Sequence, residues 1–350
     1  MVVEVQVQQG TVHVQQNRVD VVPVDHSQES PWLWAAYYAP FCRGLRFGGC
    51  YNTAFGRRER RVQDLSYLIK PLLRLCYDAG ELICAHYHAP GDSGLQAKAD
   101  ESPLTHADLD SHIHLREQLA ALTPGWPLLS EESSPAEKAQ RHGWQRFWLV
   151  DPLDGTKEFV DGTGEFTINI ALIDDHRPVL GVLYVPLQKT AYVGIPGQLA
   201  ARYTHAEGET WQQHTLAIRR LDDNVPLTVL ASRRHRSPRL HTVLDWLEAR
   251  RGPLERDNSG SALKFCHLAE GRGDFYPRFS PCSEWDVAAG QAVVEAAGGS
   301  VLGMDGKPLR YNCRKTLLSP HFYAIGDAGH PLWRDLLAST PEFEGAAPAS

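Results

Sequence analysis

Trp148-Leu149-Val150-Asp151-Pro152-Leu153-Asp154-Gly155-Thr156 is the stretch on which the reading of this chain turns. An apolar strand delivers two acids, three residues apart, at its C-terminal end. Pro152 fixes φ and brings no amide proton, Gly155 lets the backbone turn sharply, and Thr156 opens the next segment. Two carboxylates at the mouth of a strand, with free backbone amides after them, suit a hard cation bridging to phosphate oxygens. The same residues also describe an ordinary D-x-x-D turn with Asx caps. Taken alone, the segment does not decide.

Working outward, Leu128-Leu129-Ser130-Glu131-Glu132 is a second strand ending in acids. Ser283-Glu284-Trp285-Asp286 introduces an apolar helix, with Ser283 as N-cap and Asp286 three residues on, as in a capping box. Singly, a solvated loop and a plain cap explain these acids. Jointly, carboxylates at several element ends beside a D-P-x-D-G-T turn point to chemistry.

The periodicity predicts a helix from Asp64, with Leu65, Leu68, Ile69, Leu72, Leu75, Cys76, Ala79, Leu82 and Ile83 on one stripe. A second amphipathic helix follows Thr105, carrying Leu109, Ile113 and Leu119, and AKADESPLT (97–105) between them reads as a loop. Residues 166–173, 179–185 and 190–195 read as strands, 200–230 as a polar region with short β-like runs, and 237–250 and 285–297 as helices. Strands and helices in mixed order predict a layered α+β protein. We divide it into an N-terminal half at 63–198, a C-terminal half at 199–330 and a tail at 331–350. Residues 1–62 are set apart: alternating Val and Gln, then an aromatic Gly/Pro-punctuated stretch. They are left unassigned: the alternation allows strand, and a genuine extension, a disordered one and a mis-called start, for instance at Val62, all stay open.

The chain has 350 residues, 43% hydrophobic and 22% charged, with a formal net charge of −7. That composition lacks the basic footprint of a nucleic-acid binder. The Arg57, Arg58, Arg60, Arg61 cluster reads as a solvated face. Seven cysteines without a C-x-x-C pair argue against a zinc site or a disulfide framework and for a reducing cytoplasm. No apolar run approaches the roughly 20 residues that span a bilayer. Sixteen scattered histidines show no H-E-x-x-H spacing.

SEE (130–132), DPLDGTKEF (151–159), GEFT (164–167), NIAL (169–172) and EWDVAAGQAVVEAAGG (284–299) together resemble the inositol-monophosphatase superfamily. Within it the likeness is strongest to the CysQ-type 3′(2′),5′-bisphosphate nucleotidases. The resemblance implies a layered α/β/α/β/α sandwich binding two or three Mg²⁺ ions. It implies that Glu131, Asp151, Asp154, Asp286 and the carbonyl of Leu153 are metal ligands. Thr105-His106-Ala107-Asp108 matches the family's upstream motif, so Asp108 is expected to serve the attacking water and a further metal, with Thr156 bonding that water. Glu131 is expected in catalysis as well. Substrate phosphate is expected against Glu131, Leu153, Asp154, Gly155, Thr156 and Asp286.

In Ser259-Gly260-Ser261-Ala262-Leu263-Lys264-Phe265 and in Tyr276-Pro277-Arg278-Phe279 the likeness is to the nucleotidases rather than the inositol enzymes. It implies that Ser261, Lys264, Tyr276 and Arg278 bind substrate: the two cations take a second phosphate or sulfate, and the tyrosine faces a purine. A solvated helix position is the plainer account of Lys264. Ser232 and His235 match a family serine–histidine pair, with a basic loop as the plainer account. The expected reaction is hydrolysis of adenosine 3′,5′-bisphosphate to AMP and phosphate in sulfate assimilation, with 3′-phosphoadenylyl sulfate a further substrate and Li⁺ an inhibitor. The competing readings are an inositol- or sugar-phosphate phosphatase on the same scaffold and a non-catalytic phosphometabolite sensor. A small nucleotide is the expected partner, with monomer and homodimer both open. The expected place is the cytoplasm, either free or peripheral on the inner membrane.

Overall fold

The computed structural model describes residues 2–7, 10–15, 63–89, 96–97, 103–206, 210–231 and 237–345. The chain divides into two compact units, Met1–Arg61 and Val62–Ser350. In the first, β1 (Val2–Val7) and β2 (Gly10–Gln15) pair antiparallel, as the Val/Gln alternation allows. The rest of the expected extension, with its arginine cluster, lies outside the described residues.

The second unit opens with a 3-10 turn, Ser66–Leu68, and α1 (Ile69–His88). Asp64 Oδ1 accepts the Ser66 N–H at 2.9 Å, but the expected N-cap role falls elsewhere: Leu65 caps the 3-10 turn and Leu68 caps α1, both without a side-chain bond. There follow β3 (Gln96–Ala97), β4 (Pro103–Leu104), α2 (His106–Leu122), β5 (Leu128–Ser130), α3 (Pro135–Gln140), β6 (Arg146–Asp154), α4 (Thr156–Val160), β7 (Thr167–Asp174) and β8 (Arg177–Val185). Then come β9 (Thr190–Ile195), β10 (Leu199–Ala206), β11 (Thr210–Thr215), β12 (Thr228–Ala231), α5 (Pro238–Arg251), β13 (Glu255–Asn258) and α6 (Leu263–Ala269). The unit ends with β14 (Phe275–Arg278), α7 (Ala288–Ala296), β15 (Ser300–Gly303), β16 (Phe322–Ile325) and α8 (Pro331–Gly345).

Among the described residues of this unit, two large sheets are ordered β11-β10-β9-β8-β7-β6-β5 and β13-β12-β14-β16-β15, beside the two-stranded β3-β4. The pleat shows why both are covered on each face. In β6, Trp148 and Val150 join the core beneath α1 and α2, whereas Phe147 and Leu149 join the core beneath α6 and α7. In β16, Phe322 and Ala324 face that same central core, and Tyr323 and Ile325 face a third one beneath α5 and α8. The layers are therefore helix, sheet, helix, sheet, helix: the α+β sandwich expected.

Four further expectations are corrected. α2 turns its polar face inward, burying Asp108, Ser111 and His112 with Leu115 and Leu119, while Ile113 is 45% exposed. Those polar groups tolerate burial because they are hydrogen-bonded. AKADESPLT is not wholly loop, since Gln96–Ala97 pairs with Pro103–Leu104. The tail is largely helix α8, held by Trp333 and Leu336 in the third core. The box at Ser283 is half formed: its N–H donates to Asp286 Oδ2 at 3.0 Å, but the helix starts only at Ala288, capped by Val287 without a side-chain bond.

Candidate active site

β5 and β6 run parallel with Ser130, the last residue of β5, opposite Val150, so the next residues, Glu131 and Asp151, follow side by side. The Glu131 N–H donates to Val150 O at 3.1 Å, carrying the ladder one step further. Asp154 reaches the same place by a bulge. β6 pairs Asp151 with Asn169 and Asp154 with Thr167, three steps against two. An odd separation on a regular strand sends side chains to opposite faces; the extra residue resets the alternation. Gly155 then turns the chain at φ +93°, where a Cβ would stand 2.9 Å from Glu165 O.

Asp154 Oδ2 accepts from Asn169 Nδ2 at 3.2 Å and from Ser261 Oγ at 2.8 Å. Ser261 Oγ is in turn 2.7 Å from Thr167 Oγ1, and Thr167 donates to Asn169 Oδ1 at 2.8 Å. Asn169 and Thr167 lie in the NIAL and GEFT motifs, but the sequence reading assigns them no role in the site. Their signal is two polar residues, two apart, on one face of an otherwise apolar run.

Asp108, on the first turn of α2, has Oδ2 fixed by the N–H of Thr105 at 2.8 Å and by its hydroxyl at 2.5 Å. Its Oδ1 faces Thr156 Oγ1 at 3.2 Å, and the same hydroxyl is 3.3 Å from Leu153 O. Ser111 Oγ donates to Pro152 O at 2.9 Å, tying α2 to the DPLD turn.

The electrostatics show what has been gathered. Burial, then the charges of Glu131, Asp154, Asp286 and Asp108, push the Asp151 carboxyl well above the usual carboxylate range. Burial, Asp154 and Glu131 do the same to Asp286, and the Ser283 N–H and Arg278 offset this only in part. Five acids from β6, α2, the end of β5 and the loop before α7 thus share one under-compensated negative site. An all-oxygen donor set of this charge fits a hard divalent cation such as Mg²⁺. Among the described residues, no three carboxylate, imidazole or thiol groups already stand at the spacing of a shared ligand shell.

Lys264 is 3% exposed, so the solvated reading fails. Its ammonium donates to Ser259 O at 3.0 Å and Ser261 O at 2.6 Å and lies 5.3 Å above the Tyr276 ring. Burial lowers its pKa to about 8. Arg278 is likewise tied to main chain, donating to Ser280 O at 3.2 Å and Pro281 O at 3.1 Å. Tyr276 is 5% exposed and packed edge-on against Phe265 and Phe322, so its ring offers little surface to a purine. With Arg278, Phe279, Ala231, Ser237 and Leu240 it lines a small cleft. Ser232 and His235 lie outside the described residues. A larger groove of about 620 Å³, between α1 and β10–β11, contains none of the acids.

The family model for the inositol monophosphatase family matches residues 64–339. The 3′(2′),5′-bisphosphate nucleotidase CysQ of Escherichia coli (strain K12) is 41% identical over 257 residues, covering 73% of this chain and 98% of that protein. Among solved structures, CysQ from Bacteroides thetaiotaomicron superposes with a TM-score of 0.65 at 38% identity, over 75% of this chain and 99% of that one. A Thermotoga maritima IMPase, at 19% identity, shares the fold with a TM-score of 0.61, over 80% of this chain and 98% of that one.

Proposed function

The chain belongs to the inositol monophosphatase family, and we propose that it hydrolyses the 3′-phosphate of adenosine 3′,5′-bisphosphate to AMP and phosphate with Mg²⁺. The convergence of Glu131, Asp154, Asp286 and Asp108 on buried Asp151 supports the chemistry. The likeness to the CysQ nucleotidases supports the substrate, with 3′-phosphoadenylyl sulfate a second one and sulfate assimilation the setting.

Glu131, Asp151, Asp154, Asp286 and the Leu153 carbonyl would hold two or three ions. When bound, Mg²⁺ neutralises phosphate charge, activates a water and stabilises the leaving alkoxide. The protein's own part is positioning. Asp108, pinned through Oδ2, presents Oδ1 with Thr156 Oγ1 to orient the attacking water. The amides of Gly155 and Thr156 receive phosphate oxygens. Attack breaks the P–O3′ bond, and the proton ends on the departing 3′-oxygen. Asn169 and Ser261 keep Asp154 in place. Lys264 works one step back, by fixing the loop that carries Ser261. The five described cysteines are free. Among the described residues no helix is long and apolar enough to cross a membrane.

Phosphate release from adenosine 3′,5′-bisphosphate and from inositol 1-phosphate, at equal concentration and saturating Mg²⁺, tests the reading. The nucleotide should be preferred, and inositol phosphate preference overturns the substrate assignment. Lys264→Met should lower kcat/KM for both substrates by about 10-fold or more, since it loosens the support of Asp154. A loss confined to the nucleotide would return Lys264 to direct phosphate binding.

A further inference from the structure

The acid site is assembled from two halves of the fold. Glu131 follows β5 in the first sheet, whereas Asp286 sits in the loop that leads into α7. The two loops are joined by a residue outside the acid set. Lys138, on the short helix α3, donates from Nζ to the main-chain carbonyl of Glu131 at 2.6 Å. The same ammonium lies 5.2 Å over the ring of Trp285, the residue before Asp286. One cation therefore grips the backbone of one acid and the neighbour of another.

The element carrying Lys138 is itself anchored. Ser134 caps α3 in a full capping box with Glu137. Just after the helix, Arg141 is buried, donating to Asn312 Oδ1 at 2.6 Å and to the carbonyls of Arg314 and Lys315 at 2.9 and 2.7 Å. The N–H of Asn312 then donates to Glu284 Oε2 at 2.7 Å, and Arg314 pairs with Glu284 Oε1 at 3.1 Å. Glu284 is two residues from Asp286. The segment 134–141 is thus linked to the Trp285–Asp286 loop directly, by Lys138 over the Trp285 ring. It is linked indirectly from Arg141 through Asn312 and Arg314 to Glu284, while Lys138 also bonds the Glu131 carbonyl.

We propose that Lys138 is a positioning residue for the acid site: its ammonium, shared between Glu131 O and the Trp285 ring, sets Glu131 relative to Asp286. The inference rests on the metal-site reading above. Its sign separates positioning from simple charge. An ammonium acting only as a counter-charge repels a divalent cation, so its removal would tighten metal binding. An ammonium that pre-arranges the ligands strengthens binding, so its removal weakens it.

The test is direct Mn²⁺ binding to the full chain, read from the free-ion electron paramagnetic resonance signal, with thermal unfolding of each metal-free variant alongside. Lys138→Met should raise the Mn²⁺ Kd about 10-fold, with the unfolding midpoint close to wild type. Lys138→Arg keeps both the donor and the cation over the ring and should recover most of the affinity. Unchanged or tighter binding in Lys138→Met overturns the inference. So does an arginine variant as impaired as the methionine one. A wild-type chain that binds no Mn²⁺ overturns the metal-site reading and this inference together, whereas normal wild-type binding beside normal Lys138→Met binding overturns the inference alone.

Discussion

Asp151→Asn should lower kcat for phosphate release by at least about a thousandfold, roughly 4 kcal/mol at 1.36 kcal/mol per tenfold, while making the metal-free fold more stable at pH 7. The two effects share one cause. Asp151 is buried among Glu131, Asp154, Asp286 and Asp108, and its folded pKa is raised well above the usual range by burial and by those charges. An acid whose folded pKa exceeds its unfolded one destabilises the fold as pH rises from the unfolded value through the folded one. Asparagine removes that liability along with an anionic ligand. Thermal unfolding after chelation should therefore show a higher midpoint for the variant at pH 7, with the advantage disappearing below about pH 4, where Asp151 is protonated in both states. A variant less stable than wild type at pH 7 would mean that the acids are not crowded as described.

Gly194→Val should destabilise the fold by about 3 kcal/mol or more, at the upper end of overpacking costs, a fall of roughly 6 to 12 °C in midpoint. Gly194 pairs with Gly181 across β8 and β9. A Cβ on Gly194 would overlap the main chain of Val293 and Ala292, and one on Gly181 the main chain of Ala289. The glycine pair and the small residues Ala288, Ala289 and Ala292 let α7 lie almost directly on the sheet. That helix follows the loop bearing Asp286, so pushing it outward should also cost activity. Gly143→Ala, which meets open space, is the control and should leave the midpoint in place. A Gly194→Val chain that melts with wild type would show that α7 is not seated this closely.

Much of this was legible in the residues, for physical reasons. The continuous apolar run before Asp151 marks a strand buried on both faces, and Thr105 stands at a helix start, where its hydroxyl accepts the free Asp108 N–H. What could not be read depends on contacts distant in sequence. Spacing alone places Asp151 and Asp154 on opposite faces; only the partner strand reveals the bulge. α2 was oriented by Leu109, Ile113 and Leu119, but its inner face is chosen by Asp108, Ser111 and His112, whose partners Thr156, Pro152 and Ser130 come later in the chain. Lys264 reads as a ligand cation until the carbonyls of Ser259 and Ser261 are seen around it.

Chelated wild-type protein, supplied with adenosine 3′,5′-bisphosphate and then with Mg²⁺, tests the central claim most directly. The account predicts no phosphate before Mg²⁺ is added, AMP and phosphate in equal amounts afterwards, and suppression by Li⁺. Phosphate release that proceeds unchanged in the chelated protein, or none after Mg²⁺ is restored, would contradict it.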